Sequence, residues 1–572
     1  MERCNKKLKF RTRNFLILNT INKLVRFYEE KNFTEIEKTT LTKLKNNPED
    51  EDMNFFLGLA LSNTGRFENA IIHFLKSASN KNYKYDCFLN IAGCYHAISN
   101  IDLALEFYHK CIDINSEKIE PYKRIANCYR FQRNYDLSIQ YLQNAIKLKK
   151  DKHIYFQLGS TYREMGNFFE ARINFKNSIS VDANFYEAKL ALANLDLDEG
   201  KLKSAFNGLR EIINNNKISE DLMIAAKIDL GNYYKSLGEY FLAIEIYLDV
   251  LKLSPKNPSA SYNLSLCYLF QKKFNLAWVY HEKRKDLDVF GQLQKRFNTL
   301  TKPIWNESRP KTNLLIWGEQ GIGDVILYSQ FIETIKLKFS NLTLAVDKKL
   351  IIFFTKIFPD IKIIDIDFIG SYSNYEYHLP MGSLGLYFQQ GINNLEHHTI
   401  QNYPISTNLI PKKSKRIRCG ISWRSTNKLF GHKKSINLLQ LRNILANKEI
   451  EFFSLQFSPE LNEIKDLQKD LGFMPFQKHS IDCFNDIDGI ASLIKSCDII
   501  ISISNTNAHI AGKMGIKTIL LLPLNDGKLW YWGPNSDEDI IWYPSIKPLR
   551  QKKEGDWLAP INMLEKEIEK LL

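Results

Sequence analysis

The chain has 572 residues, too many for one ordinary hydrophobic core, so roughly two to four domains are expected. Its residues are 44% hydrophobic and 12% aromatic, which describes a soluble globular protein rather than a disordered one. The 78 basic and 64 acidic residues leave a formal charge of +14, but the lysines are dispersed with no long basic block, so no nucleic-acid partner is expected.

The amino-terminal stretch MERCNKKLKFRTRNFLILN sets basic residues before a very short apolar run, less than a secretory signal needs. No run reaches the length of a membrane-crossing helix, so no integral membrane segment is expected. Nine cysteines lack CxxC or metal-ligand spacing, and Cys94, Cys128 and Cys267 fall on apolar faces. This usage reads as reduced thiols and a cytoplasmic location.

An internal period governs the first half. Small residues recur at Ala70, Ala104, Ser138, Ala171, Ala205, Ala243 and Ala277, spaced by 34 with one interval of 33 and one of 38. Twelve positions before each stands another small residue: Gly58, Ala92, Ala126, Gly159, Ala193, Gly231 and Ser265. Three positions before each stands a bulky apolar one, from Phe67 through Ile101 to Phe274. Tyrosines at 95, 129, 162, 234 and 268 keep the same register. The pattern describes helix pairs in which small residues permit close approach and large ones fill between pairs. It resembles the tetratricopeptide repeat, as an α-solenoid of about seven to eight repeats over residues 15–285. The resemblance implies a partner held along the array, a protein or peptide being the expected class.

After a linker at 286–310 the period stops and the pattern becomes α/β. NLLIW, LTLAV, IKIIDI and YEYHL read as one series of strands; RCGISW, EFFSLQ, DIIISIS and TILLLP read as a second. Short apolar runs alternating with helix-length segments predict parallel sheets. Two Rossmann-like halves are expected, at 311–407 and 415–550, facing across a cleft, with a helix at 551–572. Ligands of such sheets sit at the carboxyl ends of the strands.

The first of those ends carries Gly318, Gly321 and Gly323, then Asp324. A dinucleotide fingerprint needs a further glycine three residues on, and Ile326 stands there. Asp347, at the end of LTLAVD, imitates a ribose-binding acid, but Asp324 at the helix mouth repels a pyrophosphate. Asp324 then reads either as a helix cap worth roughly 1 kcal/mol or as a general base aimed into the cleft. Free N–H groups and hydroxyls at Ser504, Asn505 and Thr506, with Asn507 and His509, form the better anion site, at a helix start without an acid. Arg424 and Lys434, in a cationic loop with Lys428, His432 and Lys433, are candidates for balancing phosphate charge. Gln456, Asn525, Asp526 and Trp530 end two further strands and are candidates for a donor pocket. Tryptophan in a loop more often reads as simple packing.

GEQGIGDVI, GISWR, SLQ, SISNTNAHIAGKMG, LLLPL, WYPS, LRQ and GDW occur here in the order found in bacterial proteins that join tetratricopeptide repeats to a heptosyltransferase-like, family 9 type glycosyltransferase domain. The resemblance covers nearly the whole chain. It implies a GT-B fold, an inverting transfer from a nucleotide sugar without a bound metal or other cofactor, Asp324 as base, and Ser504, Asn505, Thr506 and His509 as the phosphate turn. The sequence departs from the heptosyltransferase pattern in having SNTNAH where an Asp-Thr pair is common, and no single lysine among Lys428, Lys433 and Lys434 matches the family's early lysine. The donor sugar therefore stays open, as does the acceptor: protein, lipid or polysaccharide. The rival readings are a non-catalytic repeat scaffold and a GT-B epimerase.

Overall fold

The computed structural model describes residues 19–287, 296–388, 400, 402–405, 414–427, 431–457, 461–524, 527–533 and 540–572. The chain divides into two compact units, one ending at Met223 and one beginning at Ile224.

In the first unit, α1 (Phe33–Leu44), α2 (Glu51–Asn63), α3 (Phe67–Ser77), α4 (Lys84–Ala97), α5 (Ile101–Ile114), α6 (Ile119–Phe131), α7 (Tyr135–Leu148), α8 (Lys152–Met165), α9 (Phe168–Val181), α10 (Tyr186–Asp198) and α11 (Leu202–Ile213) pack consecutively as a tetratricopeptide-like solenoid. The turn inside each pair is set by one residue in the left-handed region, Lys31, Gly65, Ser99, Arg133, Gly166 and Gly200 in succession. In four pairs an asparagine follows. Asn32, Asn100, Asn134 and Asn167 each accept a hydrogen bond from the third amide of the next helix, worth roughly 1 kcal/mol apiece. The small-residue register has a direct steric cause. A Cβ on Gly58 would lie 2.7 Å from the Phe74 ring, and one on Gly159 would lie 2.6 Å from Phe175.

The second unit opens with the last repeat helices, α12 (Glu220–Ser236), which begins just before the boundary, α13 (Tyr240–Leu253), α14 (Pro258–Phe270) and α15 (Phe274–His281). The α/β part follows: β1 (Asn313–Trp317), α16 (Ile322–Tyr328), α17 (Ile332–Lys336), β2 (Asn341–Val346), α18 (Ile351–Ile357), β3 (Lys362–Asp365), β4 (Tyr377–Pro380) and α19 (Leu384–Phe388). Then come β5 (Ile417–Ile421), α20 (Gly431–Lys434), α21 (Arg442–Leu445), β6 (Ile450–Ser454), α22 (Leu461–Leu471), α23 (Ile487–Ser496), β7 (Ile499–Ile503), α24 (Thr506–Lys513), β8 (Thr518–Leu522), β9 (Ile546–Arg550) and α25 (Leu558–Glu569).

The strands form two wholly parallel sheets, ordered β3-β2-β1-β4 and β6-β5-β7-β8-β9. The continuous burial of β7 and β8 fits strands covered on both faces. β9 escapes the sequence reading because Pro548 interrupts its apolar pattern. It pairs only with β8, at the sheet edge, where a missing N–H is tolerated.

The last repeat is built into the α/β core rather than appended to it. Trp278 of α15 is buried, with ring centroids 6.3 Å from Tyr328, 6.4 Å from Phe331 and 5.8 Å from Trp530. Gly385 gives it room, since a Cβ there would lie 2.2 Å from the indole. The described part of the segment read as a linker is packed as well: Trp305 is buried against Phe339, Tyr387 and Phe388. No helix among the described residues is long and apolar enough to cross a membrane.

Candidate functional site

The carboxyl ends of β1, β5, β6, β7 and β8 open into one cleft of about 1220 Å³. A further wall comes from the repeat helices of the same unit: Lys235 of α12, Tyr240 of α13, and Tyr262, Leu266 and Phe270 of α14 all line it.

Asp324 lies on this cleft. It is the third residue of α16, and Gly321 is the N-cap, so the cap reading needs correction in position. The Asp324 carboxylate reaches back to the Gly321 amide, half of a capping box, while keeping part of its surface in the cleft. Burial pushes its carboxyl up to about 6, against the opposing pull of Lys434, the Gly321 amide and the Tyr531 phenol; Glu319 adds to the rise. That value lies above the ordinary carboxylate range.

Two of the three glycines serve packing. Gly318 sits against Val325 and Gly323 against His509, where added Cβ atoms would lie 2.9 Å from their neighbours. Gly321 faces the Asp324 carboxylate. The Gly323 contact joins α16 of the first sheet to α24 of the second.

On the opposite wall, the turn after β7 is more internally bonded than free amides would be. Asn505 caps α24: its Oδ1 accepts from the Asn507 and Ala508 amides, and its Nδ2 donates to Ser422 Oγ at 3.0 Å. Ser504 Oγ accepts from Trp532 Nε1 at 2.9 Å. Asn507 Nδ2 donates to the Leu455 carbonyl at 2.9 Å. Two of the helix-end N–H groups expected to be free are therefore taken by the cap. Thr506, at the first helical position, lines the cleft.

His509 is buried, with Nδ1 at 3.0 Å from Tyr543 Oη and its ring among Tyr531, Trp532 and Tyr543. Burial, then nearby Lys434, holds its pKa down to about 3. The ring is neutral at physiological pH. It contributes shape and a hydrogen bond to the wall rather than positive charge.

Among the cations, Arg424 lines the cleft, but its Nε donates to Glu463 at 3.0 Å. Lys433 turns to Glu554, and Lys428 lies outside the described residues. Lys434 is buried at the cleft, where burial lowers its pKa and Asp324 opposes that fall. It stands within the electrostatic reach of both Asp324 and His509.

The proposed donor-pocket residues divide. Gln456 lines the cleft, but its Oε1 accepts from the Trp423 and Arg424 amides and its Nε2 donates to the Phe457 carbonyl. It clamps two strand-end loops. Trp530 packs into the core against Trp278 and Trp542, which corrects its placement in the pocket; its neighbour Tyr531 takes the cleft position. Asn525 and Asp526 lie outside the described residues. Asp347 caps a turn through the Lys349 amide.

Sequence reasoning missed Tyr262 and placed Tyr531 only within the candidate pocket stretch 525–532 without singling it out; both carry the electrostatic mark of Asp324. WYWG held a signal for Tyr531, since it sits within one short turn, but nothing in the repeat period separates Tyr262 from core tyrosines. Among the described residues no group of three or more His, Cys, Asp or Glu side chains is arranged to hold a metal ion.

The family described as Tetratricopeptide repeat matches residues 51–82, 119–152, 153–185 and 224–257, so the helical array is a tetratricopeptide-repeat array. Among curated proteins the chain is similar to Protein FlbA of Caulobacter vibrioides, with 21% identity over 275 residues, 43% of this chain and 44% of that protein. The match thus spans less than half the length of that relative. Solved structures similar to it include a tetratricopeptide repeat protein from Parabacteroides merdae, with 16% identity over 43% of this chain and 96% of the other and a TM-score of 0.38. Yeast Tom70 aligns at 18% identity over 45% of this chain and 55% of its own, with a TM-score of 0.39.

Proposed function

We propose that this chain moves a sugar from a nucleotide-sugar donor to an acceptor hydroxyl by direct displacement, on a GT-B arrangement of its two parallel sheets, with a polypeptide acceptor presented by the repeats. The observation that supports it is the placement of Asp324: a carboxyl held at about 6, at the carboxyl end of β1, in a cleft shared with Thr506 of α24 and with Lys434. In this reading Asp324 takes the proton as the acceptor oxygen bonds to the anomeric carbon. The bond from that carbon to the phosphate oxygen breaks, and the nucleotide leaves with the electron pair. Lys434 offsets the charge that develops on the phosphate, in a recess where such an interaction is stronger than in water. Thr506 supplies a hydroxyl beside it.

A non-catalytic repeat scaffold is the second reading, favoured by the internal bonding of Arg424 to Glu463 and of Asn505 within its own turn. The two separate in a thermal-shift panel of nucleoside diphosphates and nucleotide sugars, followed by incubation of the stabilising donor with extract of the producing cells. Transfer by the wild type that Asp324→Asn abolishes supports the enzyme. No stabilisation by any donor, with glycan patterns in cells unchanged by Asp324→Asn, sinks it.

A further inference from the structure

Four tyrosines from three parts of the second unit feel the charge of Asp324: Tyr262 of α14, Tyr328 of α16, and Tyr531 and Tyr543 after β8. The other charged groups facing the carboxylate are Lys434 and Glu319. Of the four phenols, Tyr531 has the singular position. It lies on the cleft beside Asp324, and its ring centroid is 5.0 Å from that of His509, against which Gly323, the residue before Asp324, is packed. Tyr328 and Tyr543 are buried away from the cleft lining, and Tyr543 is bonded to His509. Tyr262 stands on the repeat wall.

From this arrangement we infer that Tyr531 is the positioning residue of Asp324: its phenol donates a hydrogen bond across the two sheets to the carboxylate, fixing its orientation and favouring its ionised form. The inference rests on the reading of Asp324 as base, but its physical content does not depend on any donor. Burial and the nearby carboxylate push the Tyr531 phenol well above its ordinary pKa, so at neutral pH it is a protonated donor facing an acceptor. A hydrogen bond to the charged form holds a carboxyl pKa down. Tyr531 thereby opposes the burial that drives Asp324 upward, and keeps the base available near neutrality. Because Asp324 follows a strand of the first sheet and Tyr531 a strand of the second, the bond depends on how the two sheets are placed.

The test is a titration of the full chain labelled with [γ-13C]aspartate, the Asp324 signal being identified by its loss in Asp324→Asn. In Tyr531→Phe the Asp324 midpoint should rise from about 6 by roughly half a pH unit or more. Installing 3-fluorotyrosine at position 531, a more acidic phenol and stronger donor of nearly the same size, should move it downward, and decides the matter if Tyr531→Phe does not fold. A merely structural Tyr531 alters melting but leaves the midpoint in place. A midpoint unmoved by fluorination overturns the inference. Midpoints that move in a protein that transfers no sugar would instead refute the proposed enzyme and leave the Tyr531 bond standing.

Discussion

Arg284, three residues beyond the last repeat helix, and Glu319, inside the glycine loop, form a buried ion pair with Nε–Oε1 at 2.9 Å and Nη2–Oε2 at 3.0 Å. Arg284 Nη2 also donates to Ser383 Oγ, and Glu319 accepts from the Gly382 amide. The Gly382 position tolerates no side chain, since a Cβ there would meet Glu319 Oε1 at 2.0 Å. The pair ties the end of the repeats to the loop that carries Asp324. Removing one partner leaves the other charge buried. Arg284→Met should cost about 3–5 kcal/mol, read as a lower denaturant midpoint, and the double variant Arg284→Met/Glu319→Leu should recover part of the loss. Additive losses would show that the two side chains act separately.

Asp324 should cost the protein stability when ionised. Its folded pKa of about 6 lies above the ordinary carboxylate value of about 3.9. The folded state therefore favours the protonated acid, and stability is lost as pH rises from about 4 through 6. Asp324→Asn should be more stable than wild type at pH 7.5 by about 1–2 kcal/mol, after discounting for cleft water, and equal to it near pH 4. Melting curves at the two pH values decide it. An equal effect at both would mean that the charge is not the cause.

If Asp324 is the base, transfer should rise with pH through about 6 and show no acid limb assignable to His509. His509 stays neutral above its pKa of about 3. A pH–rate profile of the wild type against a His509→Asn variant reads this directly, and disappearance of the limb in the variant would assign it to the imidazole.

Gly323 and His509 should behave as one unit. A Cβ on Gly323 meets the imidazole Cδ2 at 2.9 Å. Gly323→Ala should destabilise by about 1–3 kcal/mol, and by clearly less when His509 is already alanine. A full double-mutant cycle in denaturant measures the coupling; a value near zero contradicts the contact.

In the first unit, Gly159→Ala gains helix propensity yet must displace the Phe175 ring, 2.6 Å from the new Cβ. A net loss of about 1–2 kcal/mol is expected, relieved by Phe175→Leu. A stabilised Gly159→Ala would show that the ring moves freely.

Much of this architecture is readable because its causes are periodic. The small-residue register marks the helix pairs, and the apolar runs mark eight of the nine strands named here. A second series is harder to read: in four of the seven registers an aromatic, Phe74, Tyr108, Phe175 or Tyr247, stands four positions after Ala70, Ala104, Ala171 or Ala243, and three of these rings fill the space left by Gly58, Gly159 and Gly231. At the site, loops at strand ends could be located, but the hydrogen-bond ledger could not. Asn505 looks like a ligand in sequence and acts as a cap, because a short polar side chain before a helix satisfies amides first. Trp530 and Tyr531 are adjacent letters with opposite fates, and only the turn that holds them separates core from cleft.

The burial of Trp278 and Arg284 bears on how the molecule can be cut. A fragment beginning near residue 286, where the repeat period ends, would expose the Tyr328, Phe331 and Trp530 surface that Trp278 covers and strand Glu319 without its counter-charge. It would also lose the Tyr240, Tyr262 and Phe270 wall of the cleft. Excision in the turn before Glu220 keeps all of these. Swapping upstream repeats for those of another array then leaves every residue that lines the cleft in place.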